Sequence, residues 1–240
     1  MSSVSPSRPR SVVCLSGGMD SCVTAALAAR DTEAFALHFS YGQRTEAREL
    51  AAARAISQRL GLRDFLHLRI DIFRRIGGSA LTDAQIAVPD ASAAFRDHGL
   101  VEEHVPVTYV PFRNAHFLAV AVSWAEVLGA EKVYIGAVEP DSSGYPDCRP
   151  EYYRAFNEVV RSGTKEGTIQ IVTPLIAMRK FEIVRLGLEL NAPFDLTWSC
   201  YQREDRACGV CDSCMLRLRA FREADAEDPI PYAEAAARIG

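Results

Sequence analysis

Ser16-Gly17-Gly18-Met19-Asp20-Ser21 stands between an apolar run, Ser11-Val-Val-Cys-Leu15, and an alanine-rich run, Cys22-Val-Thr-Ala-Ala-Leu-Ala-Ala-Arg30. The first run reads as a buried parallel strand, and the second has high helix propensity. A strand, a Gly-Gly turn flanked by hydroxyls and a helix together make an anion cradle. Glycine tolerates positive φ and lets backbone N–H groups come close to a ligand. The first turn of the helix adds unpaired N–H donors and the positive end of its dipole. Ser16 and Ser21 can add hydroxyl donors, and Asp20 can cap the helix or fix the turn. Leu15, Ser16, Gly17, Gly18, Met19, Asp20 and Ser21 are therefore the candidate phosphate-binding residues. The plain alternative is an ordinary strand-to-helix turn.

The chain lacks the G-x-x-x-x-G-K-[ST] pattern, so a Walker-type NTPase is not supported. The turn does resemble the SGGxDS loop of the PP-loop ATP pyrophosphatases, which hold ATP by its phosphates and attack at the α-phosphate. Beyond it, 33–39 reads as a second strand, 45–60 as a helix with Ala, Leu and Ile on one face, and 64–70 as a third strand. The order β-α-β-α-β predicts a parallel sheet covered by helices. From 77 to 106 periodicity fades into Gly, Ser, Asp and Pro, which predicts a mobile flap. Apolar 113–128 is a helix, 132–136 a fourth strand and 141–149 a polar loop of the kind that collects ligand groups. Pro150 opens a helix to about 161, 168–172 is the fifth strand, and helices follow over 180–190 and 213–223. The expected organisation is a loose terminus (1–10), one α/β domain (11–195), a cysteine-bearing segment (196–223) and a tail (224–240).

At 240 residues, 48% apolar and 24% charged, the chain has ordinary globular composition and room for a full core. No apolar run approaches a membrane span, and residues 1–10 lack the apolar stretch of a secretion signal. The net charge of −4 argues against broad nucleic-acid binding. Seven cysteines without such a signal point to a reducing compartment, with the cytoplasm as the expected location.

Cys200, Cys208, Cys211 and Cys214 follow the spacing C-x7-C-x2-C-x2-C. Four thiolates converging through a turn that contains Gly209 make a closed tetrahedral site, as expected of structural zinc. An iron–sulfur cluster takes the same four ligands, and the motif alone does not choose. With no position left for water, the metal reads as an element that holds the fold and pins the C-terminal segment beside the glycine turn. Cys14 and Cys22 read as small core residues, and Cys148 sits in the polar loop.

Taken together, the turn, His38-Phe-Ser-Tyr-Gly-Gln-Arg44, Thr108-Tyr-Val-Pro-Phe-Arg-Asn114, Ser143-Gly-Tyr-Pro-Asp-Cys-Arg149, Pro174-Leu175, Lys180, Thr197-Trp-Ser-Cys-Tyr201 and Cys208-Gly-Val-Cys-Asp-Ser-Cys214 resemble the 7-cyano-7-deazaguanine (preQ0) synthase family of queuosine and archaeosine biosynthesis. The resemblance runs from about residue 11 to 221. It implies a HUP-type, Rossmann-like doubly wound parallel sheet, here of five strands, with a structural zinc, ATP with Mg2+, and a homodimer. It also implies that 7-carboxy-7-deazaguanine is adenylated, aminated to the amide, activated again and dehydrated to the nitrile. Asp20, Arg113 and Lys180 are then the candidate catalytic residues, the two cations neutralising phosphate or carboxylate charge. Arg113, Asn114, Asp141, Ser143, Gly144, Tyr145, Asp147 and Arg149 are the candidate substrate residues. Asp147 or Asp141 can accept from the guanine-like edge, and Tyr145 can stack on the heterocycle or simply pack. No glutaminase segment is left over, so free ammonia is the expected nitrogen source.

Four positions depart from the family's pattern. Phe112 stands for a small residue, Thr45 for His, Ser142 for an aromatic and Arg179 for Ser. Phe112 and Ser142 beside the substrate pocket would alter which molecule fits. A second reading is thus a paralogue that couples the activated carboxylate to a protein or peptide amine. A third is a PP-loop tRNA thiolase, which would need a catalytic cysteine pair and an RNA-binding surface.

Overall fold

The computed structural model describes residues 8–91, 105–140 and 144–233. Asp141, Ser142, Ser143, residues 1–7, positions 92–104 of the expected flap and 234–240 of the tail lie outside the described residues.

The strands are β1 (Arg10–Cys14), β2 (Glu33–Ser40), β3 (Phe65–Arg69), β4 (Lys132–Ile135) and β5 (Gln170–Val172). The helices are α1 (Met19–Asp31), α2 (Glu46–Arg59), α3 (Ile72–Ile76), α4 (Arg113–Leu128), α5 (Pro150–Gly163), α6 (Lys180–Glu189) and α7 (Asp212–Glu223). Single 3-10 turns lie at Pro146–Cys148 and Phe194–Leu196. The sheet runs β3-β2-β1-β4-β5 with every pairing parallel. Ser11 sits at its centre, paired with Ala34 on one side and Lys132 on the other.

Side chains alternate across the sheet, and both faces are dry, as parallel sheets require. Val13 belongs to the core formed with Val23, Ile183 and Phe221, under α1, α6 and α7. Its neighbour Val12 belongs to the opposite core with Leu118 and Ile171, under α4 and α5. This double covering explains why β1 reads as an unbroken apolar run.

Strand order reverses between β1 and β4, so the chains leaving their carboxyl ends diverge and open a crevice. The short α3 was not anticipated: Phe73 anchors it, buried edge-on against Tyr41 and Phe117. The first half of the expected flap is fastened down. Ala80 N–H bonds to Val107 O, Arg44 N–H to Leu81 O and Ala91 N–H to Val210 O. The Arg44 guanidinium also donates to the carbonyls of Ala80, Asp83 and Ile86. Among the described residues no helix is long and apolar enough to cross a membrane.

Candidate active site

The glycine turn is held from three sides. Gly17 has φ +93°, and a Cβ there would fall 2.5 Å from Glu49 O of α2, so only glycine fits. Gly136, just past β4, lies so close to α1 that a Cβ would meet Ser21 N at 2.9 Å. On the third side Trp198 N–H donates to Gly17 O at 2.8 Å.

One expectation for this turn is corrected. Asp20 does not cap α1, whose N-cap is Gly18 without a side-chain bond. It reaches across the crevice instead, to Lys180 Nζ at 2.6 Å, where α6 begins. The two serine hydroxyls bond mainly to the turn itself. Gly18 N–H donates to Ser16 Oγ, Ser16 Oγ–H to Ser21 Oγ, and Ser21 Oγ–H to Gly18 O. This relay sets the turn's shape, and the first turn of α1 has no side-chain cap on its N–H groups.

A cavity of about 270 Å³ opens at this point, lined by Leu15, Ser16 and Gly18 to Ser21 on one side. Arg113, Asn114, Tyr145 and Lys180 complete the wall, so the structure gathers both candidate cations and the turn around one space. Arg113 is the first residue of α4. Its Nη1 donates to the Tyr41 hydroxyl at 3.1 Å, and its guanidinium lies 5.6 and 5.7 Å from the Tyr41 and Phe117 ring centroids. Its Nε is buried without a hydrogen-bond partner.

The polar loop contributes less than expected. Asp147 is absent from the cavity wall. Its Oδ2 accepts Asn114 N–H at 3.1 Å, and its backbone carbonyl accepts from Asn114 Nδ2 and the Tyr153 hydroxyl. Asp147 is therefore a latch on the start of α4, a role its type and position did not reveal. Gly144 and Arg149 are exposed and also stand away from the cavity. Tyr145 does line it, with its hydroxyl bonded to Thr108 Oγ1 at 2.9 Å and its ring beside Tyr109. Phe112 is 58% exposed and does not line the cavity, so its bulk does not shape the pocket.

Tyr41, Gln43 and Glu49 also line the cavity, although none of them is among the candidate site residues and only Tyr41 and Gln43 stand in a quoted motif. The Glu49 carboxylate receives Thr45 Oγ1–H on one oxygen (2.8 Å) and Gln43 Nε2–H on the other (3.0 Å). Burial pushes its pKa up to about 6. Two thiols, Cys14 and Cys148, also reach the wall, but burial raises them to about 12 and 11, so neither is a thiolate at neutral pH. A thiolase-type cysteine pair is not supported.

The four C-terminal sulfurs lie within 4.8 Å of one another, all buried. Cys208 Sγ and Cys214 Sγ are 3.8 Å apart, matching the ~3.8 Å edge of a tetrahedron with ~2.3 Å metal–sulfur bonds. Backbone N–H groups of Gln202 and Cys208 point at Cys200 Sγ, and that of Cys211 at Cys208 Sγ. The donor set and spacing fit one thiophilic ion.

This segment touches the glycine turn through Trp198 N–H, and it takes in part of the tail. Arg217 of α7 is 2% exposed and binds Asp228 through both Nε (2.7 Å) and Nη2 (2.8 Å), while Nη1 holds Thr197 Oγ1 at 2.6 Å. Tyr232 closes the network on Asp228, and Ala207 pairs with the tail through Pro231 O and Ala233 N–H.

Sequence comparison covers most of the chain. The family described as queuosine biosynthesis protein QueC matches residues 10–225. A protein of Acidobacterium capsulatum named 7-cyano-7-deazaguanine synthase is 69% identical over 96% of this chain and 99% of its own. Proteins of that name from Koribacter versatilis and Chlorobium chlorochromatii are 66% and 55% identical, each over 93% of this chain and over 93% and 96% of their own lengths. The chain belongs to the QueC family.

Proposed function

We propose that this chain is an ATP-dependent ligase that converts 7-carboxy-7-deazaguanine and ammonia to 7-cyano-7-deazaguanine. The observation that carries the reading is a single cavity, at the crevice of a QueC-family sheet, uniting the glycine turn with Arg113, Lys180 and Asp20. The carboxylate attacks the α-phosphate of ATP and pyrophosphate leaves. Ammonia then displaces AMP from the acyl adenylate to give the amide, with loss of one proton. The amide oxygen attacks a second ATP, again releasing pyrophosphate, and loss of AMP and a proton yields the nitrile.

In this reading the N–H groups at the start of α1 and the Lys180 ammonium meet the negative charge that grows on the leaving pyrophosphate. Arg113 suits the substrate carboxylate, because its planar fork is buried and its Nε is unengaged by protein. Asn114 and Tyr145 shape the heterocycle's pocket. Mg2+ would offset polyphosphate charge when bound, and Asp20, whose Oδ1 is buried without a hydrogen-bond partner, fits as its ligand. The four-cysteine ion is a single structural zinc, since sulfurs this close suit one ion better than the corners of an iron–sulfur cluster. The protein works as a homodimer in the cytoplasm. Mixing it with 7-carboxy-7-deazaguanine, ATP and ammonia should release pyrophosphate and AMP and give the nitrile by mass spectrometry. No pyrophosphate, or a deazaguanine amide attached to protein as the sole product, would refute the reading.

A further inference from the structure

A 7-deazaguanine presents two parallel donors on its pyrimidine ring, N1–H and the 2-amino group. Their partner in a water-poor cavity should be a carboxylate, whose two oxygens match that pair in spacing. Asp147 does not line the cavity and is bonded to the start of α4, so the site needs another acceptor. Among the described residues two carboxylates line the cavity, Asp20 and Glu49. Asp20 stands on the glycine turn and is bonded to Lys180, at the phosphate end.

Glu49 is held differently. Thr45 and Gln43 each donate to a separate oxygen, which fixes the plane of the carboxylate and leaves each oxygen lone-pair capacity for another donor. Gln43 is itself oriented, its Oε1 receiving Tyr41 N–H at 2.8 Å. Keeping an acid in such a place costs desolvation, seen in its raised pKa, yet most of it remains ionised at neutral pH. A carboxylate serving only to join α2 to the preceding loop has no need to face the cavity.

We propose that Glu49, held by Thr45 and Gln43, is the residue that receives the N1–H and 2-amino donors of the deazaguanine and so selects guanine-like rings. The proposal rests on the reading that the cavity binds 7-carboxy-7-deazaguanine.

The test compares 7-carboxy-7-deazaguanine with the analogue lacking the 2-amino group, in the wild-type protein and in Glu49→Gln, by pyrophosphate release. The wild type should show a KM about 10- to 100-fold lower for the natural compound. Glu49→Gln should raise that KM by about the same factor and bring the two compounds close together, because the amide offers one acceptor and one donor. The KM for ATP and the unfolding temperature, read alongside, show that the variant is folded. A variant that keeps the discrimination, even if less stable, overturns the proposal. So does an equal KM for the two compounds in the wild type, which needs no variant. Absence of pyrophosphate release from either compound in the wild type would instead overturn the proposed function.

Discussion

Gly136→Ala adds one methyl group where β4 delivers the chain against the first turn of α1. Its Cβ would stand 2.9 Å from Ser21 N and 3.0 Å from the carbonyl carbon of Asp20. Both neighbours are backbone inside a helix, so no rotamer change relieves the contact. Reaching an ordinary separation of ~3.5 Å requires the turn and β4 to part by about 0.5 Å. Overpacking of this kind costs about 1–3 kcal/mol, which for a chain of this size lowers the unfolding temperature by about 3–9 °C. The displaced atoms carry the N–H groups read as the phosphate grip, and a misplacement of ~1 Å can cost ~100-fold in rate. Half that movement should therefore raise the KM for ATP or lower kcat by about tenfold. Gly163→Ala is the control: it adds the same methyl at the end of α5, where nothing lies within 4 Å, and should be neutral or slightly stabilising. Melting curves and pyrophosphate-release kinetics decide the matter. A Gly136→Ala protein as stable as the wild type and with unchanged ATP kinetics would refute the claim that β4 and the turn are in contact.

Arg217→Met strands Asp228, whose side chain is 5% exposed, and should cost about 3–5 kcal/mol by denaturant unfolding; adding Asp228→Asn should recover part of that loss. A chelator that removes an ion from the four-cysteine cluster should lower the unfolding temperature. It should also red-shift the fluorescence of Trp198 in a Trp124→Phe background, because Trp198 is 1% exposed beside that site. Between pH about 4.5 and 6 two buried groups oppose each other. Burial lowers His38 from 6.5 to about 4, so its share of stability, on the order of 3 kcal/mol, is present above 6.5 and lost as pH falls towards 4. Burial raises Glu49 from 4.5 to about 6, so its share is full below 4.5 and lost as pH rises through 6. Glu49→Gln should remove its opposition to the His38 slope, and the rise of stability with pH across that window should steepen towards about 1.4 kcal/mol per pH unit.

What could be read without coordinates was what the backbone dictates locally. The unbroken apolar run of β1, the glycine turn and the alanine-rich α1 each have one comfortable geometry, and their order fixes a parallel sheet. The cysteine spacing was equally plain, because thiolates that must meet at one ion leave few arrangements. The illegible parts depend on long-range placement. Asp147 and Glu49 are both acids in polar sequence, and nothing local says that one latches α4 while the other faces the cavity. Asp20 looked like a helix cap because capping is a local habit, yet it pairs with Lys180, 160 positions away. Phe112 drew notice as a bulky departure, but its left-handed backbone, φ 55°, accompanies a ring that points outward.

The same distinction explains why four cysteines that could hold a metal gather near the far end of this chain. A turn of two glycines has almost no side chain by which its shape can be defended, so its position must be imposed from outside. One restraint comes from α2, one from the exit of β4 and one from Trp198 N–H. The first two belong to a sheet with cores on both faces. The third belongs to a segment whose own core is Trp198, Ala207, Ile230 and the cysteines, too few apolar groups to hold an extended strand in register. The Arg217–Asp228 pair supplies part of the missing constraint, and an ion held by the four cysteines would supply the rest. Loss of the ion should then reach the nucleotide through a single hydrogen bond, raising the KM for ATP before the sheet itself unfolds. If the metal-free protein kept its ATP affinity at a temperature where Trp198 was already exposed, Trp198 would be no restraint on the turn.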